Sequence, residues 1–156
     1  MKLKLAFALA ATALVVTAGL AAASTSATSV GTTQTKLGRI LVDAHGRSLY
    51  VFDRDTRGKS SCYGGCAGEW PPLLVSGKPH AASGAKASLL GRTKRHDGRW
   101  QVTYKGHPLY TFSGDASKGQ TNGEGLDDFG GWWYVVSPTG SKIVGGAGTS
   151  APNYGG

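Results

Sequence analysis

The chain has 156 residues, 40% of them hydrophobic and 17% charged, with 25 glycines, two cysteines and a formal net charge of +8. A positive charge this high on so short a chain draws anionic polymers through a long-range, salt-screened field. The basic residues are nevertheless scattered (Arg39, Arg47, Arg54, Arg57, Lys59, Lys78, Arg92, Lys94, Arg95), without the compact cationic arm of a nucleic-acid binder, so no nucleic-acid partner is expected.

Residues 1–23 have the layout of an export signal: Lys2 and Lys4, an apolar run from Leu5 to Leu20, and the small residues Ala21, Ala22 and Ala23, with cleavage after Ala23. Thr12 and Thr17 interrupt a run already short for a spanning helix, and no basic cluster follows, so no stable membrane insertion is expected after cleavage. Loss of Lys2 and Lys4 with the leader lowers the formal charge from +8 to +6. Cys62 and Cys66 lie far from the cleavage point, so neither can carry a lipid there. Residues 24–35, rich in Ser, Thr and Ala, read as a flexible linker, and 145–156 as a flexible Gly-rich tail. The expected domain is 36–144.

Within it the chain repeats at an offset of 60. Val42, Gly46, Leu49, Tyr50, Phe52 and Asp55 match Val102, Gly106, Leu109, Tyr110, Phe112 and Asp115, six identities over fourteen positions. Such repetition marks one supersecondary unit used twice, each copy covering the apolar face of the other, with repeat one at about 38–75 and repeat two at about 98–144. Each copy reads as a hairpin. Ile40 to Val42 meets the turn Asp43 to Gly46 and returns through Leu49 to Phe52; Trp100 to Tyr104 meets Lys105-Gly106 and returns through Leu109 to Phe112. Leu49 and Val51 imply that the first hairpin is covered on both faces, whereas Thr111 and Ser113 imply a wet second face on the other. Trp132 to Val136 reads as a further strand that Ser137 to Gly140 turns back into Ser141 to Val144, and Trp70 opens a counterpart that Pro71 and Pro72 confine to an edge. No stretch between Lys36 and Val144 sustains a helical period. The expected fold is a single small all-β domain, a compact sheet or sandwich built from two tandem hairpin-based repeats.

Tyr50-x-Phe52-x-x-Asp55 and its copy Tyr110-x-Phe112-x-x-Asp115, with Cys62-x-x-x-Cys66 and Trp70-Pro71-Pro72 after the first, resemble a family of bacterial exported repeat proteins. Members are often described as lipoproteins with a tyrosine, aromatic and aspartate motif. The resemblance spans about Leu37 to Ile143 and implies an envelope or secreted β-repeat protein with no established activity and no catalytic residues to carry over. The lipid-bearing cysteine of lipidated members is lacking here.

Several residue groups offer chemistry. Cys62 and Cys66 flank Tyr63-Gly64-Gly65, and in an exported chain such a pair oxidises to a disulfide; the alternative is a thiolate pair for a soft metal or a redox couple. His45 and His107 occupy near-equivalent turn positions and are candidate imidazole ligands if the turns meet. Asp55 and Asp115 follow the hairpins at equal spacing; they are expected to accept turn N–H bonds, which would depress their pKa values, or else to form a catalytic carboxylate pair. Asn122, Glu124, Asp127 and Asp128 lie among glycines and read as a solvated acidic loop, the alternative being oxygen ligands for Ca²⁺; Trp70, Trp100, Trp132, Trp133 and the motif tyrosines Tyr50 and Tyr110 are candidates for core, the alternative being sugar stacking. The first functional reading is an exported, non-enzymatic binding module without cofactor, taking a wall polymer or an envelope protein. The second is a metal-binding or redox accessory protein using the two histidines and two cysteines, and the third is a carboxylate-dependent hydrolase.

Overall fold

The computed structural model describes residues 28–145. The expected leader at 1–23 lies outside the described residues, as does the expected tail beyond Gly145. Among the described residues, nine strands form three small sheets and helix is confined to α1 (Gly65–Glu69) and a 3-10 turn at Ala87–Leu89, so the all-β expectation holds. β1 (Ser29–Thr35) pairs with β2 (Gly38–Asp43) and with β4 (His80–Ala81). β3 (Tyr50–Phe52) pairs with β9 (Gly131–Val135), which also pairs with β8 (Asp127–Asp128). β5 (Leu90–Lys94) pairs with β6 (Trp100–Tyr104), and β6 with β7 (His107–Pro108).

Two boundaries differ from expectation. The Ser/Thr stretch expected as a tether supplies β1, because Thr and Val suit a pleated strand and the backbone ladder to β2 holds a segment that buries only Val30 completely. Each copy therefore starts one strand earlier than the hairpin pattern suggests, with β1 ahead of β2 and β5 ahead of β6. The offset also changes at the turns. Gly31 faces Val42 whereas Gly91 faces Thr103, so Leu41 corresponds to Val102 and the first turn is one residue longer. Lys105 and Gly106, with φ of 52° and 85°, make a tight two-residue turn, while Asp43 organises the longer one by accepting N–H bonds from His45 and Arg47, each at 2.9 Å.

The last strand of each copy leaves its own hairpin and bonds to the other. Leu73 donates its N–H to Leu109 and accepts from Val102; Val136 donates to Leu49 and accepts from Leu41. At the centre Tyr50 and Tyr110 exchange both backbone bonds, at 2.8 and 3.0 Å. An approximate twofold axis thus passes between the tyrosines. Pro71 and Pro72 sit on this edge as expected, Pro72 bridging Tyr110, and Val136 bridges Lys142 across the predicted Ser137 to Gly140 turn.

The central strands separate two cores, since successive side chains point to opposite faces. One is aliphatic, built on Leu41, Leu49, Val51, Leu73, Val102, Leu109 and Val136. The other is aromatic. Trp70 and Trp133 stack at 3.9 Å, Phe112 stacks on Trp70 and Phe52 on Trp133 at 4.2 Å each, and Tyr50 and Tyr110 meet the indoles edge-on. Again each phenylalanine stacks on the tryptophan of the other copy. The first hairpin is covered on both faces as expected, but the second is drier than expected, because Thr111 is buried where its N–H meets the Pro71 carbonyl.

Phe52 is 3% exposed whereas Phe112 is only partly buried. Phe52→Ala is expected to lower unfolding free energy by about 3 to 5 kcal/mol and Phe112→Ala by clearly less, as read from urea denaturation midpoints.

Candidate functional site

The repeated motif converges on the twofold axis, and its polar ends cross it. The Tyr50 hydroxyl donates to Asp115 Oδ2 and the Tyr110 hydroxyl to Asp55 Oδ2, both at 2.6 Å. The remaining oxygens take turn N–H groups: Asp55 Oδ1 accepts from Ser61 N–H and hydroxyl at 2.7 and 2.8 Å, and Asp115 Oδ1 accepts from Asn122 N–H at 2.9 Å. The turn-fixing role expected of both aspartates is therefore what they do. Their electrostatics run opposite to expectation. Burial raises both carboxyl pKa values above the ordinary aspartate value, outweighing the lowering by the tyrosine and backbone bonds. Each phenol is also held well above its usual range, by burial first and then by the facing carboxylate. Neither tyrosine is poised to ionise.

Around Tyr110 the network continues. Its hydroxyl lies 2.7 Å from Ser60 Oγ, and buried Arg95 donates to Ser60 Oγ at 2.9 Å, Gln101 Oε1 at 2.6 Å and the Cys62 carbonyl at 2.6 Å. Asp97 lies 3.5 Å from Arg95 Nε, and the Tyr63 ring covers the guanidinium. Sequence reasoning did not find Arg95, because one arginine among many basic residues carries no signal that it is the buried one.

Cys62 and Cys66 are disulfide-bonded as expected, Cα to Cα 5.3 Å, and both are buried, Cys66 within α1. Oxidised sulfurs supply no thiolate to a metal ion. The two turn histidines do not occupy equivalent places, since His45 precedes Gly46 and His107 follows Gly106. Each turn is held by a loop of the other copy, Gly119 N–H on the Gly46 carbonyl and Gly58 N–H on the Gly106 carbonyl. Burial, then Lys142, Arg57 and Lys105, lower the His107 pKa, and the field of those cations repels a metal ion. Among the described residues no group of three or more His, Cys, Asp or Glu gathers to hold a metal. Of the oxygen residues of the 115–131 loop, Asp127 is exposed and Glu124 and Asp128 are engaged. Glu124 accepts from Val135 N–H at 2.7 Å and Asp128 from the Trp70 indole N–H at 2.9 Å, while Asn122 donates to the Gly114 carbonyl.

Of the four tryptophans, Trp70 and Trp133 are fully buried, Trp100 is half-buried with Arg92 4.4 Å from its ring centre, and Trp132 is exposed with Leu126 and Phe129 on the β8–β9 hairpin. A groove of about 670 Å³ runs between β1 and the 118–121 loop, lined by Thr33, Gln34, Thr35, Lys36, Lys118 and Thr121 among others, with no acidic side chain in its wall.

These features define an all-β tandem-repeat domain whose motif residues bind each other across the copies. Residues 31–74 and 91–137 each match the family model described as a secreted repeat of unknown function, and the chain belongs to that family. Searches of curated proteins and of solved structures return no match. No helix among the described residues is long and apolar enough to cross a membrane.

Two outcomes follow for stability. Asp55→Ala and Asp115→Ala should each cost about 1 to 3 kcal/mol by leaving hydrogen-bond partners unsatisfied, while the Asn variants keep an acceptor and lose less, measured by thermal unfolding at neutral pH. Burial pushes the Glu124 carboxyl up to about 7. A raised folded value means that the native state holds the proton more tightly, so this contribution is full below the ordinary glutamate value of about 4.3 and is lost as pH rises towards 7. His107 acts in the opposite sense over part of that window. The wild-type minus Glu124→Gln difference in unfolding free energy should therefore fall across it; a difference that stays flat would refute the shift.

Proposed function

We propose that the protein is an exported, non-enzymatic module that works without a cofactor and holds an extracytoplasmic polymer, polyhydroxylated and anionic, in the groove between β1 and the 118–121 loop. The observation that carries this reading is the composition of that groove: hydroxyl and amide side chains with Lys36 and Lys118 and no acid, on a protein of net positive charge. Hydroxyl and amide groups exchange hydrogen bonds with sugar or polyol hydroxyls, and two cations without an acidic partner favour an anionic chain. The absence of catalysis is supported by the fate of the motif residues. Tyr50, Tyr110, Asp55 and Asp115 donate to and accept from one another, which leaves no carboxylate pair flanking a cleft. Export is supported by the leader-like residues 1–23 and by the family's description as a secreted repeat.

Co-sedimentation of the mature protein with isolated cell-wall polymer tests the reading. Binding should be saturable, weaken with added salt, and drop several-fold in Lys36→Gln/Lys118→Gln at unchanged melting temperature. Binding unaltered in that variant would refute the groove. Capture of an envelope protein with none of the polymer would refute the ligand, and polymer turnover lost in a folded Asp55→Asn protein would restore the hydrolase.

A further inference from the structure

The two copies act as controls for each other at their turns, and they differ there in charge. In the first copy Arg47, which follows the turn glycine, is neutralised by Asp43 through contacts at 2.7 and 2.8 Å, with the Asp43 side chain only 3% exposed. In the second copy Tyr104 takes the place of Asp43 and sends its hydroxyl to the Pro138 carbonyl, so no acid remains at this position. Cations gather instead. Arg57 packs over Gly106, an added Cβ meeting its Cγ at 2.8 Å and its Nε at 2.9 Å, as Lys118 packs over Gly46 in the first turn; what the second turn adds is Lys105 and Lys142. Lys105 packs over Gly140 in the same manner, at 2.8 Å, which ties the 105–107 turn to the 137–141 turn. Two residues on from Gly140, Lys142 lies with its Nζ 5.1 Å from the Tyr134 ring centre. None of Arg57, Lys105 and Lys142 has an ion-pair partner among the described residues.

The backbone adds a second observation. Lys105 holds φ of 52°, in a turn position that Asn, Asp or Gly fills without the cost a lysine incurs. The second turn therefore places a lysine in a costly backbone conformation beside two further cations that make no ion pair among the described residues. We propose that Arg57, Lys105, His107 and Lys142 form a binding site for the phosphate groups of a polyanionic chain. Arginine offers a planar fork to two phosphate oxygens, the lysines supply point charges, and the imidazole of His107 supplies an N–H donor and gains a proton as the anion arrives. Asp55, the nearby acid, is hydrogen-bonded by Tyr110 and Ser61 and makes no ion pair with these cations among the described residues, while its charge acts on His107 against theirs. The site lies at the Gly106 turn and the polymer groove at the Gly46 turn, so it stands whether or not that groove binds a wall polymer.

The test follows the His107 ring by NMR in the full mature protein, titrated with inorganic pyrophosphate and with short-chain polyphosphate at constant ionic strength. Saturable shifts are expected, with the His107 pKa rising on binding and polyphosphate binding more tightly than pyrophosphate. Lys105→Asn/Lys142→Gln should weaken binding by about tenfold or more. Because Asn suits the turn, Lys105→Asn alone should retain or raise the melting temperature, which separates loss of binding from loss of fold. Lys118→Gln, in the groove beside the Gly46 turn, should leave the His107 titration unchanged. Shifts matched by sulfate or chloride, or lost equally in Lys118→Gln, would overturn the site; equal affinity for pyrophosphate and polyphosphate would overturn its assignment to a chain. Normal pyrophosphate binding by protein that ignores cell-wall polymer would refute the groove reading alone.

Discussion

A phenol donating over 2.6 Å to a carboxylate withdrawn from solvent makes a charge-assisted hydrogen bond, and this fold makes it twice in reciprocal form, on buried Asp115 and partly buried Asp55. Each tyrosine donates to the aspartate of the other copy, so neither motif is complete within its own repeat. The aromatic stack depends on the same crossing. Trp70 stacks on Trp133, Phe112 on Trp70 and Phe52 on Trp133, each pair joining one copy to the other as the Tyr50–Tyr110 bridge does. Burying the carboxylates raises their pKa values, and the donors around them, three hydroxyls and two turn N–H groups, offset that cost.

Much of the polar chemistry in the sequence is thereby consumed. The disulfide lies against the aromatic core, the Cys62 carbonyl fixes Arg95, and Arg95 in turn positions Ser60 beside Tyr110. Residues that resemble ligands or catalysts in a linear reading are partners of one another.

The class, the repetition and the hairpins were legible because Tyr, Phe and Leu alternate with a period of two and the turns carry their glycines. The disulfide was legible from its spacing and the expected oxidising location. What the sequence concealed was long-range. β1 is polar and is held by its ladder, so burial patterning passed over it. The one-residue difference between the turns made Val42 and Val102 appear paired when Leu41 takes that place, and it made His45 and His107 appear equivalent. The aspartates were read as local turn residues, which they are, but their second partner lies 65 or 55 residues away and only the folded chain brings it near. That same burial reversed the expected direction of their pKa shifts.

The relation between the two copies is that of an isologous contact, in which residue i of one unit touches residue j of the other and j touches i. Such a contact does not depend on the covalent connection through 76–86. A chain carrying a single copy would find its missing strand, its second tryptophan and its second aspartate on another identical chain. The tandem arrangement is therefore the geometry of a homodimer joined end to end. Joining raises the effective concentration of one half for the other and frees the two halves to diverge, as the unequal charges at the two turns show they have.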